Sequence, residues 1–265
     1  MLLSIPSLVI AQETIDIYSK SSTEEYAAYL LASGQYQLAA LEYQRLSILD
    51  PISKAYKEKT AEAMYKGGLF ESLSDFVTLK NGNCSAPQSL AKYHMAANLN
   101  LGDYLALDSM MKCNALLSED IKQHFEVVSL AYEGKWKSAY SLASDYNQNP
   151  FIKNYSIILG NAAEEKRVSP LLAGVMSGII PGSGKFYARD WKNGLISLVF
   201  IGVLGYQSYY GFNQKGLESG LGWVYGTLGF GFYIGNVVGS VSSANRYNAQ
   251  KNQKLINRFR PYILP

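Results

Sequence analysis

The distribution of apolar and charged positions divides the chain into two parts of different character. Charged residues occur throughout residues 13–168, whereas residues 193–214 and residues 219–245 contain none. Each uncharged stretch exceeds the roughly 20 predominantly apolar residues that are enough to cross a bilayer as a helix. The pattern therefore predicts a soluble first part and a second part that carries two membrane-spanning helices.

A shorter apolar stretch, residues 170–180, precedes the first of these helices. Ser169 is suited to cap a helix and Pro170 to occupy its first position, and Pro181-Gly182 would end it. About 11 helical residues cover only about 16 Å, which is too short to span a bilayer. We therefore predict a short interfacial or re-entrant helix ahead of a two-helix transmembrane hairpin.

Glycines recur in the second uncharged stretch in two groups whose members lie four residues apart. They are Gly222, Gly226, Gly231, Gly235 and Gly239. A stripe of small residues lets helix backbones approach closely in lipid, so we expect this stripe to mediate helix packing or oligomerisation. The alternative is a glycine-rich hairpin buried in a soluble protein, which explains neither the missing charges nor the basic residues on both sides.

Four Gly-x-aromatic triplets recur at nearly equal intervals in the first part of the chain. Glycine allows the chain to turn between two antiparallel helices, and the aromatic side chains fill the space between successive helix pairs. The spacing therefore predicts an array of helical hairpins. The triplets contain Gly34 and Tyr36, Gly68 and Phe70, Gly102 and Tyr104, and Gly134 and Trp136.

The repeats resemble tetratricopeptide repeats, whose period of about 34 residues matches the interval between the triplets. The residues that carry the match beyond the triplets are Ala39, Tyr43 and Pro51 in the first repeat and Ala139 in the last. The resemblance covers residues 23–150 and implies an α-solenoid that presents a concave surface to a protein or peptide. A generic array of helical hairpins is the alternative.

Composition and charge sharpen the division. The formal net charge is +3, yet residues 1–168 hold 15 Lys and Arg against 19 Asp and Glu, whereas residues 169–265 hold 9 against 2. An acidic repeat region therefore precedes a basic membrane region, and we expect no nucleic-acid partner. We place a linker helix at residues 151–168, the membrane module at residues 169–248 and a basic tail at residues 249–265.

The few cysteines and histidines exclude several kinds of site. Two cysteines rule out a disulfide-dense scaffold and a four-cysteine zinc site. Cys84 and Cys113 fall near the ends of the second helices of adjacent repeats, where they could pair in an exported protein or act as small buried residues. His94 and His124 have no ligand-type neighbours at helical spacing, so we expect partly buried helix residues.

The N-terminal segment, residues 1–11, is uncharged and ends in Val9-Ile10-Ala11 before Gln12. Small or aliphatic residues at these positions suit a signal-peptidase site, and the ending resembles signals common in Bacteroidota. We therefore predict a signal segment and export. The alternative is a short apolar arm packed against the first domain.

A motif of proline, glycine, aromatic and basic residues surrounds the predicted hairpin. It comprises Ser169, Pro170, Gly174, Pro181, Gly182, Gly184, Phe186, Tyr187, Arg189, Asp190, Gly194, Tyr233, Gly235, Asn236, Tyr247 and Asn248. The motif looks like that of TM2-like modules, and more closely like that of a bacterial envelope family of unknown function that joins tetratricopeptide-like repeats to a membrane hairpin. This resemblance covers about residues 169–250 and implies no biochemical activity.

No catalytic or cofactor-binding motif is complete. Gly182-Ser183-Gly184-Lys185 suggests a phosphate loop, but Ile179 stands where the first glycine would lie and Phe186 replaces the magnesium-binding Ser or Thr. The sequence contains no nucleophile-base pair and no carboxylate pair that a cleft would explain. We therefore expect no enzyme, no cofactor and no metal site.

The expected location rests on two signals that disagree. Basic residues at the hairpin base would place it in the cytoplasm of an inner-membrane protein, whereas a cleaved signal would place it in the periplasm. We favour export, and predict a non-enzymatic envelope scaffold that binds a protein or peptide, contacts membrane lipid and forms homo- or hetero-oligomers. The alternative is a helical channel or transport component whose pore Gln207, Thr227 and Asn236 would line.

Overall fold

The protein is helical throughout the part of the chain that its structure describes. The computed structural model describes residues 19–82 and residues 84–265, and every regular element in these ranges is an α-helix or a short 3-10 helix. The predicted all-α class is therefore confirmed for these residues. The predicted signal segment, residues 1–11, lies outside them.

The chain divides into two compact units. The first unit contains the described residues up to Ser129 together with Tyr146–Lys153 and Tyr262–Pro265, and the second contains Leu130–Asp145 and Asn154–Pro261. Up to Asp145 the helices follow one another as pairs. They are α1 (Lys20–Ala32), α2 (Tyr36–Leu49), α3 (Lys54–Lys66), α4 (Phe70–Asn81), α5 (Gln88–Leu101), α6 (Tyr104–Cys113), α7 (Glu119–Tyr132) and α8 (Trp136–Asp145).

Each predicted Gly-x-aromatic triplet lies at the turn inside one helix pair. The four glycines have positive φ angles between 72° and 79°, a region that favours glycine because it has no Cβ. In each turn the N–H of the residue after the glycine donates to the carbonyl five residues earlier, as Gln35 does to Leu30 at 2.9 Å. This is the Schellman arrangement that ends a helix. The aromatic residue then begins the second helix of the pair.

The position three residues after each aromatic is fully buried in all four pairs. It is occupied by Ala39, Leu73, Leu107 and Ala139, each 0% exposed. Leucine in the second and third pairs therefore fills the same inward-facing position that alanine fills in the first and fourth. At this position the second and third pairs have a larger side chain than the repeat pattern expects, and the side chain is still apolar.

A disulfide joins the connection between α4 and α5 to the end of α6. Cys84 and Cys113 are bonded, with their Cα atoms 5.2 Å apart and a separation of 29 positions in the sequence. Next to this bond the side chain of Asn114, which is 0% exposed, donates to the carbonyl of Ala86 at 2.9 Å. Both contacts hold the α4–α5 connection against the third helix pair.

Both histidines lie in the core of the first unit. His94 is 2% exposed and its Nε2 lies 2.9 Å from the Ser74 hydroxyl. His124 is 1% exposed and its Nε2 lies 3.0 Å from the carbonyl of Ile263. Burial lowers the pKa of each imidazole to about 4, because the charged form loses its hydration.

The remaining helices include two of unusual length. After α9 (Pro150–Lys153), which belongs to the first unit, come α10 (Ser156–Glu164), α11 (Pro170–Ile179), α12 (Ser183–Tyr187), α13 (Trp191–Lys215) and α14 (Gly220–Phe259). Short 3-10 helices occupy Gly216–Glu218 and Arg260–Tyr262. The predicted linker, residues 151–168, thus contains most of α9 and all of α10, and residues 249–259 of the predicted basic tail continue α14.

Helices α13 and α14 pack against each other in opposite directions. Ser208 donates to the carbonyl of Gly222 at 2.9 Å near one end, and the rings of Phe200 and Phe232 lie 5.2 Å apart further along. Within the described residues, Trp191–Glu218 is the one helical stretch long and apolar enough to span a membrane. A second predicted span, on α14, does not share this property.

The C-terminal half of α14 is fixed to the rest of the second unit. The indole N–H of Trp136 donates to Asn252 at 2.7 Å, and the Phe259 ring lies edge-on to Tyr155 at 4.7 Å. Lys251 forms an ion pair with Glu165 at 3.0 Å. Because α14 is unbroken, its apolar first half is held by the same docking.

We predict that acid weakens the first unit through its two histidines. The pKa of each histidine is near 4 when folded and about 6.5 when unfolded. Their stabilising contribution is therefore complete above pH 6.5 and is lost as the pH falls towards 4. At pH 4 each would lower the free energy of unfolding by about 3 kcal/mol relative to pH 7.

Thermal unfolding of the full chain in mild detergent at pH 7 and pH 4.5 measures this effect. The double variant His94→Gln/His124→Gln serves as the comparison, because it keeps every carboxylate that also titrates in this range. We expect the melting temperature of the wild type to fall more with acid than that of the variant. An equal fall in both proteins would show that the histidines do not contribute.

Candidate functional site

The motif residues of the predicted membrane module meet where α11, α12, α13 and α14 pack together. We call this region the junction, defined by residues 168–194 and 233–248. The Ser169 hydroxyl caps α11 by accepting from Leu172 N–H at 3.3 Å, and Pro170 is the first residue of that helix. The Tyr187 hydroxyl accepts from Ser169 N–H at 3.1 Å. Helix α11 therefore begins against the end of α12.

Glycines let the backbones of the junction come into direct contact. A Cβ added at Gly184 would lie 1.8 Å from the carbonyl oxygen of Ala173, and one at Gly182 would lie 2.3 Å from that of Gly194. Real Cβ atoms do not approach backbone oxygens so closely, so both positions require glycine. Gly182 also has a φ of 85°, which turns the chain from α11 into α12.

Gly174 and Gly194 are packed less tightly. A Cβ on Gly174 would meet the Val241 side chain at 3.0 Å, and one on Gly194 would meet the Phe186 ring at 3.2 Å. Pro181 lies in the turn between α11 and α12. These predicted motif residues therefore act in helix packing.

A buried chain of hydroxyl and amide groups connects α11, α12 and α14. The hydroxyls of Ser177 and Ser240, both 0% exposed, lie 2.6 Å apart. Gly184 N–H donates to the Ser177 hydroxyl at 2.9 Å, and Ser240 lies 2.8 Å from the carbonyl of Asn236. The Tyr233 hydroxyl donates to the carbonyl of Gly178. These contacts satisfy polar groups that would otherwise be costly to bury.

Asp190 forms a second polar cluster at the start of α13. Its carboxylate accepts from the Ser243 hydroxyl at 2.8 Å, from Asn193 at 2.9 Å and from Arg246 at 3.3 Å. Burial alone would raise the pKa of Asp190, but the bonds from Asn193 and Ser243 and the charge of Arg246 hold that pKa below its usual value. Asp190 is therefore a structural anion that ties α13 to α14.

Three further motif residues have defined roles at the edge of the junction. Asn248 pairs with the backbone of Val168, accepting from its N–H at 3.1 Å and donating to its carbonyl at 2.8 Å. Arg189 has a φ of 62°, a left-handed conformation that turns the chain into α13. The Tyr247 ring lies 5.3 Å from the Lys251 ammonium.

The predicted glycine stripe of α14 serves two different surfaces. At Gly222 and Gly226 an added Cβ would meet Phe212 at 3.0 Å and Ser208 at 2.9 Å, so these two glycines pack against α13. Gly239 lies under the Lys185 side chain, because an added Cβ there would lie 3.3 Å from Lys185 Cε. At Gly231 and Gly235 an added Cβ would meet nothing within 4 Å. The middle of the stripe is therefore open space along the α13–α14 seam.

Sequence reasoning missed several polar residues of the junction. Ser177, Ser240, Ser243, Asn193 and Lys185 stand in apolar or glycine-rich surroundings that give no local signal of their pairing. Ser177 meets Ser240 only because α11 packs onto α14, and Ser243 meets Asp190 only because α13 packs onto α14. Lys185 reaches Ser197 on α13, and Asn193 bonds Asp190 within the start of α13. The uncharged stretch at residues 219–245 gives one general signal. Its serines and asparagines are polar groups in apolar surroundings and therefore need hydrogen-bond partners.

The three polar residues predicted to line a pore do not share one surface. Thr227 and Asn236 line a groove between α13 and α14, whereas Gln207 is exposed and does not line it. The described residues also contain no group of three or more His, Cys, Asp or Glu side chains that could hold a metal ion.

Comparison with protein-family models, with curated proteins and with solved structures finds no match for this chain. Its function is therefore argued from its own residues and contacts.

We predict that Gly184→Ala disrupts the junction. The new methyl group would occupy the space of the Ala173 carbonyl oxygen, so α12 must move away from α11. We expect the free energy of unfolding to fall by about 3 kcal/mol, at the upper end of overpacking effects. Thermal unfolding of the full chain in detergent measures the change.

Gly178→Ala is the matched control, because it places the same methyl group on α11 where nothing lies within 4 Å. We expect this variant to be as stable as the wild type or slightly more stable, since alanine favours a helix over glycine. Equal stability of the two variants would contradict the close approach at Gly184.

Proposed function

We propose that the protein is a non-enzymatic scaffold of the bacterial cell envelope, anchored in a membrane by α11, α13 and the first half of α14. In this proposal the helix pairs form a tetratricopeptide-like surface that binds a protein or peptide. The observation that carries the proposal is the exposed apolar surface of the three anchoring helices. The partner surface and the compartment rest on separate observations.

Large apolar side chains are exposed on all three anchoring helices. None of the most apolar part of α13 is buried, which distinguishes it from the core helix of a soluble protein. On α13 the exposed side chains include Val199 and Val203, at 55% and 53%. On α11 Leu171 is 77% exposed. Exposure of such a surface to water is unfavourable, whereas in a membrane lipid chains would cover it.

Helix α14 changes character along its length. Its large exposed apolar side chains run from Leu221, which is 67% exposed, to Val238, which is 60% exposed. The stretch between these positions corresponds to about 27 Å of helix, close to the thickness of a hydrocarbon core. Beyond Val238 the helix carries polar residues such as Arg246 and Asn248. This supports α14 as a second membrane helix that continues into the polar part of the protein.

Exposed aliphatic residues on the first unit support a protein partner. Leu41 and Ile48 on α2 are each 62% exposed, and Leu79 on α4 and Leu105 on α6 are each 85% exposed. All four lie on the second helices of successive pairs. We take this set on the second helices as the partner-binding surface of the proposal, since contiguous exposed apolar patches bind other proteins.

The disulfide supports export of the first unit. Protein disulfides persist in oxidising compartments such as the periplasm and are rare in the reducing cytosol. The bond between Cys84 and Cys113 thus favours the compartment that the predicted signal segment implies. It weighs against the cytoplasmic location that the basic hairpin base would favour.

We predict that Val199→Asp/Val203→Asp prevents stable membrane insertion. Each aspartate at the centre of a membrane helix costs about 3 kcal/mol, so the pair removes most of the driving force for inserting α13. Alkaline extraction of membranes from expressing cells measures insertion. We expect the wild type in the pellet and the variant in the supernatant or degraded.

Leu105→Asp/Ile157→Asp is the control, because both positions are exposed, at 85% and 78%, and lie outside the anchoring helices. This variant should stay in the pellet. Recovery of the wild type in the soluble fraction would overturn the membrane proposal.

We further predict that the first unit is exported. In intact spheroplasts, added protease should cleave the helix pairs, and a thiol-reactive reagent should modify Cys84 and Cys113 only after reduction. Cys84→Ser/Cys113→Ser controls for reaction elsewhere, because the chain contains only these two cysteines. Protection from the protease, together with modification without reduction, would place the first unit in the cytoplasm.

A further inference from the structure

A groove runs along the seam between α13 and α14 and has a polar end and an apolar end. Its volume is about 580 Å³, within the roughly 300–1,000 Å³ range of small-molecule sites. Lys185, Ser197 and Asn236 line one end, and Ile201, Thr227 and Leu228 line the other. Between the ends lie the rings of Phe200 and Phe232 and the open positions of Gly231 and Gly235.

Lys185 places a cation at the polar end. Its side chain crosses α14 at Gly239, and its ammonium group donates to the Ser197 hydroxyl on α13 at 2.7 Å. A side chain at Gly239 would push the lysine aside, so this glycine holds the ammonium group at the seam. Only one of its three protons is used by Ser197, and an anionic group could accept the others.

Asn236 adds an unsatisfied acceptor to the same end. It is 3% exposed, and its Nδ2 donates weakly to the carbonyl of Ser177 at 3.4 Å. Its Oδ1 is buried and has no hydrogen-bond donor among the described residues. A buried acceptor without a donor is unfavourable, so an occupant that carries hydroxyl groups would stabilise this site.

The charges of the chain argue against a second copy as the occupant. Asp190 and Glu218 are the only acidic residues after residue 168, so neither α13 nor α14 of another copy contains a carboxylate to pair with Lys185. A helix packed into the groove would bury this ammonium group without a counter-charge. An anionic lipid supplies both the counter-charge and an apolar chain.

We propose that the groove binds one anionic phospholipid, with its phosphate and headgroup hydroxyls at Lys185 and Asn236 and an acyl chain along Phe200, Gly231 and Phe232. This inference rests on the proposed insertion in a membrane. The groove follows α14 from Thr227 to Asn236, which is about 14 Å of helix. An acyl chain can lie along this length beside the surrounding bilayer.

Native mass spectrometry of the detergent-solubilised full chain tests the proposal. The probes are phosphatidylglycerol and phosphatidylcholine with identical acyl chains, because they differ in headgroup charge and hydroxyl groups. We expect one phosphatidylglycerol to bind the wild type about tenfold more tightly than phosphatidylcholine, given the strength of hydrogen bonds to charged groups. Equal binding of the two lipids would overturn the proposal.

Two variants separate the headgroup from the chain. Lys185→Met removes the charge and keeps an unbranched side chain that is one atom shorter, so we expect it to abolish the preference for phosphatidylglycerol. Gly235→Leu fills the groove without a clash inside the protein, since nothing lies within 4 Å of the new Cβ. We expect this variant to bind both phosphatidylglycerol and phosphatidylcholine more weakly. Unchanged binding in Gly235→Leu would also overturn the proposal.

Matched controls distinguish these effects from general damage. Lys192→Met removes an exposed positive charge near the same end, and Gly202→Leu adds the same side chain to an exposed position of α13 with open space around it. Both should bind like the wild type. If either control loses selectivity to the same degree as the groove variants, the lipid is held by the general surface and the groove proposal fails.

Competing occupants give different results. Displacement of the lipid by millimolar inorganic phosphate would identify a headgroup subsite for free phosphate, and conversion of a dimer to a monomer by Gly235→Leu would identify an interface between copies. Either result overturns the lipid proposal. A chain that inserts in membranes but shows no headgroup preference overturns this inference alone, whereas a chain that does not insert overturns the proposed function as well.

Discussion

Helix α14 runs without a break for 40 residues, Gly220–Phe259, and a helix of that length is about 60 Å long. Its first half packs on α13, its middle closes the junction, and its last turns are docked by Trp136 and Tyr155. Burying Phe259 completely contributes about 2 kcal/mol, and the Trp136–Asn252 bond fixes the rotation of the helix about its axis. An unbroken helix transmits that rotation, so the faces shown to α11 and α13 are set by contacts roughly 20 Å away along the axis.

Close backbone approach is the second condition for this arrangement. Gly182 and Gly184 allow α12 to touch α11 and α13 directly, and this proximity aligns Ser177 with Ser240. In a membrane, unsatisfied polar groups are costly. Ser177, Ser240 and Asn236 therefore form one hydrogen-bonded cluster, and Asp190 and Ser243 form another. The exception is Asn236 Oδ1, which is buried without a donor among the described residues, in a side chain that lines the groove.

The glycines of α14 behave differently because they do not all lie on one face of the helix. Gly222 and Gly226 face α13, where an added Cβ would meet Phe212 and Ser208. Gly231 follows Gly226 by five residues, which is about 140° further round the helix at roughly 100° per residue. At Gly231 and Gly235 an added Cβ would meet nothing within 4 Å. A spacing of four residues predicts close approach only within one face.

Much of the local structure could be predicted from the sequence, because its signals depend on neighbouring residues. Gly34 and its three counterparts end helices through a positive φ, and Pro170 starts a helix. The length of the uncharged stretch at residues 193–214 indicates α13. The sequence by itself determined the all-α class, the four helix pairs and a stretch apolar enough to span a membrane. Tertiary structure alone decided that residues 249–259 extend α14, that Lys185 crosses Gly239, and that Ser177 meets Ser240. These outcomes depend on contacts between residues up to 116 positions apart, and such contacts are fixed by packing rather than by local propensity.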